Sequence, residues 1–157
     1  MTMFLTRYNR LMEIISINTG TATVSVFDLA AIRHRVSDSP DWWSIVKDEI
    51  QEINDGNIAF LGMGQDGSYR IAIVDDLVRG FGALYLGFPS GQVFVGAGED
   101  TTGGDLEPDG TEAIQGAVLN FKPGSYLMKY KKTGSVLELA FSPSEKRSNQ
   151  FEDSIRL

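Results

Sequence analysis

The residues that could do chemistry are few. The single histidine, His34, stands between Arg33 and Arg35. An imidazole can act as general base or metal ligand, but two cationic neighbours disfavour its charged form. No G-x-S-x-G elbow nominates a serine to complete a Ser-His-Asp triad. The chain has no cysteine, so disulfides, thiolate zinc sites, iron–sulfur clusters and cysteine nucleophiles are all excluded. Acidic side chains are plentiful, yet nothing selects two that face each other at the separation a glycosidase needs. The glycines Gly62, Gly64 and Gly67 precede strand-like sequence instead of a helix, so no phosphate-binding loop or dinucleotide fingerprint is supported. The expectation is a protein without catalytic residues and without a cofactor.

The most motif-like pattern lies between Gly98 and Glu112. This stretch carries Glu99, Asp100, Asp105, Glu107, Asp109 and Glu112 and no basic residue. Asp105-x-Glu107-x-Asp109-Gly110 spaces oxygen ligands as a calcium loop does. Against calcium stand the glutamate at the second ligand position, the stiffening Pro108, and Gly116 where a bidentate glutamate belongs. The sequence therefore predicts no metal. A long acidic loop on a rigid scaffold is instead a place for binding residues. Glu99, Asp100, Asp105, Glu107 and Asp109 are the candidate contacts, with Trp43 beside them. Trp42 and Trp43 lie about 100° apart on a helix, so Trp43 is either a second core residue or an aromatic anchor for a partner.

Positioning such a loop requires a scaffold. Ser39 to Gly56 reads as the one clear helix, with Ser39 as N-cap, Pro40 in the first turn and Gly56 as C-terminal cap. Trp42, Val46, Ile50 and Ile53 form an apolar stripe, and Gln51 and Glu52 fall elsewhere on the wheel. Asp28 is placed to cap a short helix, LAAIRHRV. The rest alternates like strand: residues 12–17, 21–27, 57–63, 68–74, 81–88, 92–97, 115–121, 125–131 and 135–141. Asn18-Thr19-Gly20, Gln65-Asp66-Gly67, Pro89-Ser90-Gly91, Lys122-Pro123-Gly124 and Thr133-Gly134 carry hairpin chemistry. The predicted fold is α+β and mainly antiparallel: a β-sandwich or partly closed barrel with one packed amphipathic helix. Residues 1–143 read as a single β-rich domain and 144–157 as a polar C-terminal tail, anchored if at all by Phe151, Ile155 and Leu157.

Composition narrows the partners. The 157 residues have a net charge of −7, which argues against nucleic acid, since phosphate binding needs a positive field. No apolar run approaches a membrane span or a signal-peptide core. A cytoplasmic location is the expectation.

The segments VFDLAAIRHRVSDSPDWWS and NDGNIAFLGMGQDGSYRI resemble a group of small bacterial proteins of uncharacterised activity. These share a VFD strand end, a short His-containing helix, a D-W-W segment and a G-x-x-G-x-Y-R turn in that order. The resemblance covers residues 24 to 71. Proteins of this kind are similar to immunity proteins, which neutralise toxins of interbacterial competition. The resemblance implies a soluble binding protein with a basic protein toxin as partner, and it supplies no catalytic residue. A small-molecule-binding, cupin-like barrel or a phage-related structural module are the alternatives; a single histidine is too few for a cupin-type metal site.

Overall fold

The computed structural model describes residues 11–39, 41–101 and 114–157. Two mixed five-stranded sheets face each other. The strands are β1 (Leu11–Thr19), β2 (Thr23–Asp28), β3 (Ala59–Gly62), β4 (Gly67–Val74), β5 (Gly82–Phe88), β6 (Gln92–Ala97), β7 (Gly116–Asn120), β8 (Gly124–Thr133), β9 (Val136–Pro143) and β10 (Ile155–Arg156). The first sheet runs β1-β4-β9-β8-β5 and the second β10-β3-β2-β6-β7. Only β4–β9 and β3–β10 pair in parallel. One core is shared by both sheets, with Ile71, Leu137 and Met128 from the first and Val24, Leu61 and Val95 from the second. The architecture is therefore the sandwich of the two predicted options; the described residues form no closed barrel.

Turn chemistry was the poorest guide. Of the five predicted hairpins, only Thr133-Gly134 joins neighbouring strands, β8 and β9. The other four turns pass the chain from one sheet to the other, so the predicted meander does not form. Asn18–Gly20 separates β1, paired with β4, from β2, paired with β3 and β6. Gln65–Gly67, Pro89–Gly91 and Lys122–Gly124 do the same for later strands. A positive φ fixes a reversal of direction but not the strand that receives the chain. Gly91 shows how tight such a corner is: its φ is +82°, and a Cβ there would lie 2.1 Å from the Phe121 carbonyl oxygen.

The second sheet is covered on both faces. Every residue of β2 is buried, because residues 29–58 form a long excursion across its outer side. This excursion contains the predicted helix, but in two pieces. Trp42–Ser44 is a 3-10 turn, Ile45 is extended at φ −81°, ψ 108°, and α1 spans only Val46–Asn54. Ser39 donates to Asp41 instead of capping a helix. The break shifts the helical phase: Val46, expected in the stripe, is exposed, whereas Glu49, Glu52 and Ile53 are buried. Gly56 does close α1, with φ +74°. The earlier short helix is also absent beyond a 3-10 turn at Arg33–Arg35. Asp28, fully buried, takes the Ala30 amide, the Ser90 amide and hydroxyl, and the Gly91 amide. It fastens the end of β2 to the β5–β6 corner.

The last fourteen residues return along this excursion. The Asn149 side chain donates to the Ile53 and Tyr85 carbonyls and accepts from the Tyr85 amide. Phe151 and Leu157 pack on the core and Ile155 is buried. No helix of the described residues is long and apolar enough to cross a membrane.

Candidate functional site

Register places a set of connections at one end of the sandwich. Thr19 of β1 opposes Gly67 of β4, Thr23 of β2 opposes Gly62 of β3, Val24 opposes Ala97 of β6, and Gly96 opposes Gly116 of β7. The β1–β2 corner, the β3–β4 corner, the β6–β7 connection and the β8–β9 hairpin therefore share that end. Two of the predicted contact residues, Glu99 and Asp100, open the β6–β7 connection as part of a 3-10 turn.

Glu99 is deeply engaged with the β1–β2 corner. Its carboxylate accepts from the Thr19 hydroxyl at 2.8 Å, the Thr21 hydroxyl at 2.8 Å and the Gly20 amide at 2.6 Å. Burial alone would raise its pKa, but these donors outweigh burial and hold it below the usual glutamate range. Asp100 accepts from the Gln115 amide at 2.8 Å, across the mouth of the loop. Burial pushes its carboxyl up, and the neighbouring Glu99 charge adds to the rise. The two neighbouring carboxyls are thus shifted in opposite directions.

Trp43 comes to the same place from a distant part of the chain. Its ring stacks on Phe60 with centroids 5.0 Å apart, and it lies against Gly98, where an added Cβ would meet it at 3.3 Å. It is half-buried, and so sits between the two readings the sequence offered. Among the described residues its indole N–H has no hydrogen-bond partner, and neither has the Thr101 hydroxyl. The structure therefore brings Trp43, Glu99 and Asp100 together at the root of the acidic connection. Asp105, Glu107 and Asp109 lie outside the described residues.

Beside this root is a feature that the sequence reading missed. A cleft of about 510 Å³ runs between the β3–β4 corner and the β8–β9 hairpin, lined among others by Met63, Asp66, Tyr69, Lys132 and Ser135. An adjoining hollow of about 400 Å³ adds Arg70, Asn18 and Gln115 and shares Ser68, Tyr69 and Ser135. A sequence signal existed. Tyr126, Met128 and Tyr130 alternate inward along β8, and Lys132 continues that phase.

His34 lies elsewhere, on the excursion. Its Nε2 is 2.6 Å from Glu52 Oε2, which also accepts from Arg35 Nε at 2.8 Å; Asn57 donates to the other oxygen at 2.8 Å. Burial would raise the Glu52 pKa, but the Asn57, Arg35 and His34 donors reverse the effect and lower it. Arg35 also reaches Asp38 and Asp48 and stands over the Trp42 ring. This network ties the 3-10 turn to α1 through the His34 and Arg35 bonds to Glu52. Among the described residues no group of three side chains could hold a metal ion.

A family model described as "Family of unknown function (DUF6386)" matches residues 11–157, and the chain belongs to that family. No curated protein matches. Two solved structures share the fold. One is described as "Crocagin biosynthetic gene J": 14% identity over 84% of this chain and 97% of that one, TM-score 0.57. The other is ComJ from Bacillus subtilis, described as an inhibitor of the DNA degrading activity of NucA: 8% identity over 87% of this chain and 99% of that one, TM-score 0.54.

Proposed function

We propose that this member of the DUF6386 family is a non-enzymatic binding protein that neutralises a basic protein toxin of the nuclease type. The observation that carries the proposal is the loop end of the sandwich. There Glu99 and Asp100 begin a connection that holds Asp105, Glu107, Asp109 and Glu112 with no lysine or arginine, and Trp43 lies at its root. An enzyme that degrades DNA must present positive charge to its polyanionic substrate. An acidic surface complements that charge and speeds encounter. The fold shared with an inhibitor of a DNA-degrading enzyme supports the same reading.

The test is association kinetics with a basic nuclease toxin, sought first among the products of neighbouring genes. Replacing Asp105, Glu107 and Asp109 by Asn, Gln and Asn should slow association about three- to tenfold and flatten its salt dependence, with dissociation little changed. Toxin activity should recover in parallel at limiting inhibitor. Unchanged on-rate and unchanged salt slope would move the interface elsewhere.

A further inference from the structure

We infer that the cleft between the β3–β4 corner and the β8–β9 hairpin is a binding site for a small molecule bearing a carboxylate or phosphate group, with Lys132 as its counter-charge. This proposal does not depend on the toxin reading.

The first support is an unmatched cation. Lys132 occupies the inward phase of β8, where Tyr126, Met128 and Tyr130 are buried, and it is half-buried itself. It lines the cleft, and among the described residues it makes no ion pair or side-chain hydrogen bond. Two other half-buried cations are matched. Arg35 has Glu52, and Lys129 has Asp76 and the Leu77 carbonyl. A cation that faces a cleft without an acidic partner is complemented there by an anionic group. The one acidic side chain that lines the cleft, Asp66, is exposed, and Leu157, the last residue of the sequence, lines it too.

The second support is the shape and rigidity of the walls. At about 510 Å³ the cleft has room for a metabolite-sized ligand. Gly64, Gly67 and Gly134 leave its walls bare: nothing lies within 4 Å of where their Cβ atoms would be. The two walls are tied together, since the Arg70 amide donates to the Ser135 carbonyl at 2.9 Å. Tyr69 donates its hydroxyl to the Gln65 carbonyl, and Ser68 donates to Asn18 at 2.6 Å. The cleft is therefore formed before a ligand arrives, which spares the ordering cost of closing loops. Arg70 is among the residues that line the adjoining hollow.

The experiment titrates isotope-labelled protein with pyrophosphate and, separately, with citrate at constant ionic strength, following backbone amide shifts. Saturable shifts concentrated at Gly64, Gly67 and Gly134 are expected with at least one of them; which one responds distinguishes a phosphate from a carboxylate ligand. Lys132→Met should weaken that binding about tenfold or more and Lys132→Arg should retain it, because loss of a charge-assisted bond accounts for the difference. Lys146→Met, on another surface, should leave it unchanged. Should Lys132→Met fail to fold, Ser135→Ala, at an exposed position, should still weaken binding severalfold. Shifts that never saturate, that spread over the whole surface, or that persist equally in Lys132→Met or in Ser135→Ala overturn the assignment.

Discussion

Replacing Glu52 should cost more than any other single change of a charged residue on the excursion. Its side chain is 4% exposed and shares its two oxygens among His34, Arg35 and Asn57. Hydrogen bonds to a charged group contribute about 1.5–3 kcal/mol each, but the three do not simply add. His34 is 53% exposed and regains water, and Arg35 keeps Asp38 and Asp48. Glu52→Ala should therefore cost about 2–4 kcal/mol, toward the lower part of the range for a broken buried pair. For a chain of this length that is a fall in Tm of about 4–16 °C. Glu52→Gln should cost less, since an amide still accepts one bond, and His34→Ala should cost below about 1 kcal/mol. The pH dependence carries its own sign. A carboxyl held below its ordinary value stabilises the fold above the unfolded pKa, and that stability is lost as pH falls through the folded one. The difference between wild type and Glu52→Gln should shrink as pH drops below the usual glutamate range. Urea melts at pH 7 and along an acid series measure both effects. A Glu52→Ala loss below about 1 kcal/mol at pH 7 would show that the network is surface ornament.

Three further outcomes are expected. Trp42→Ala should cost about 3–5 kcal/mol, because the ring is buried edge-on to Phe60 under Arg35, whereas Val46→Ser should stay within about 0.5 kcal/mol in the same denaturant melts. Gly56→Ala should destabilise by more than about 1 kcal/mol on conformation alone; a Cβ there would also lie 1.7 Å from the Arg147 carbonyl oxygen, so partial loss of the α1-to-C-terminus contact should appear in hydrogen exchange at Asn149. Calcium and EDTA should leave the Tm unchanged, since the Asp105 motif lacks its twelfth-position ligand; a calcium-dependent rise would make that loop a metal site.

Period-two alternation by itself made strands such as β4 legible, whereas β10, in the stretch read as a polar tail, was not. Tyr69, Ile71 and Ile73 are buried as their spacing requires, with Arg70 opposite, because side-chain direction in a strand is a local property. The Gly56 cap was legible for the same reason: a positive φ at a helix end is chosen by the residue that adopts it. Trp42 and Ile53 were also legible as core, being apolar on any phase of the helix. What the sequence could not contain is the choice of partner. Four of the five turns lead to the opposite sheet, since a turn fixes direction while packing of the two sheets decides who is next to whom. Glu52 reads as a residue off the apolar stripe, and His34, Arg35 and Asn57, folded in beside it, make its burial tolerable; the buried Glu49 is met by Ser154, 105 positions away. The break at Ile45, which rotates Val46 outward, has no signal in the helical pattern and follows from Trp42 and Trp43 both seating on Phe60. The candidate sites divide the same way. The charge of the acidic connection is written in one stretch of chain, but its meeting with Trp43, and the enclosure of Lys132 between two corners, arise from contacts between residues far apart in sequence, which only the closed sandwich brings within reach.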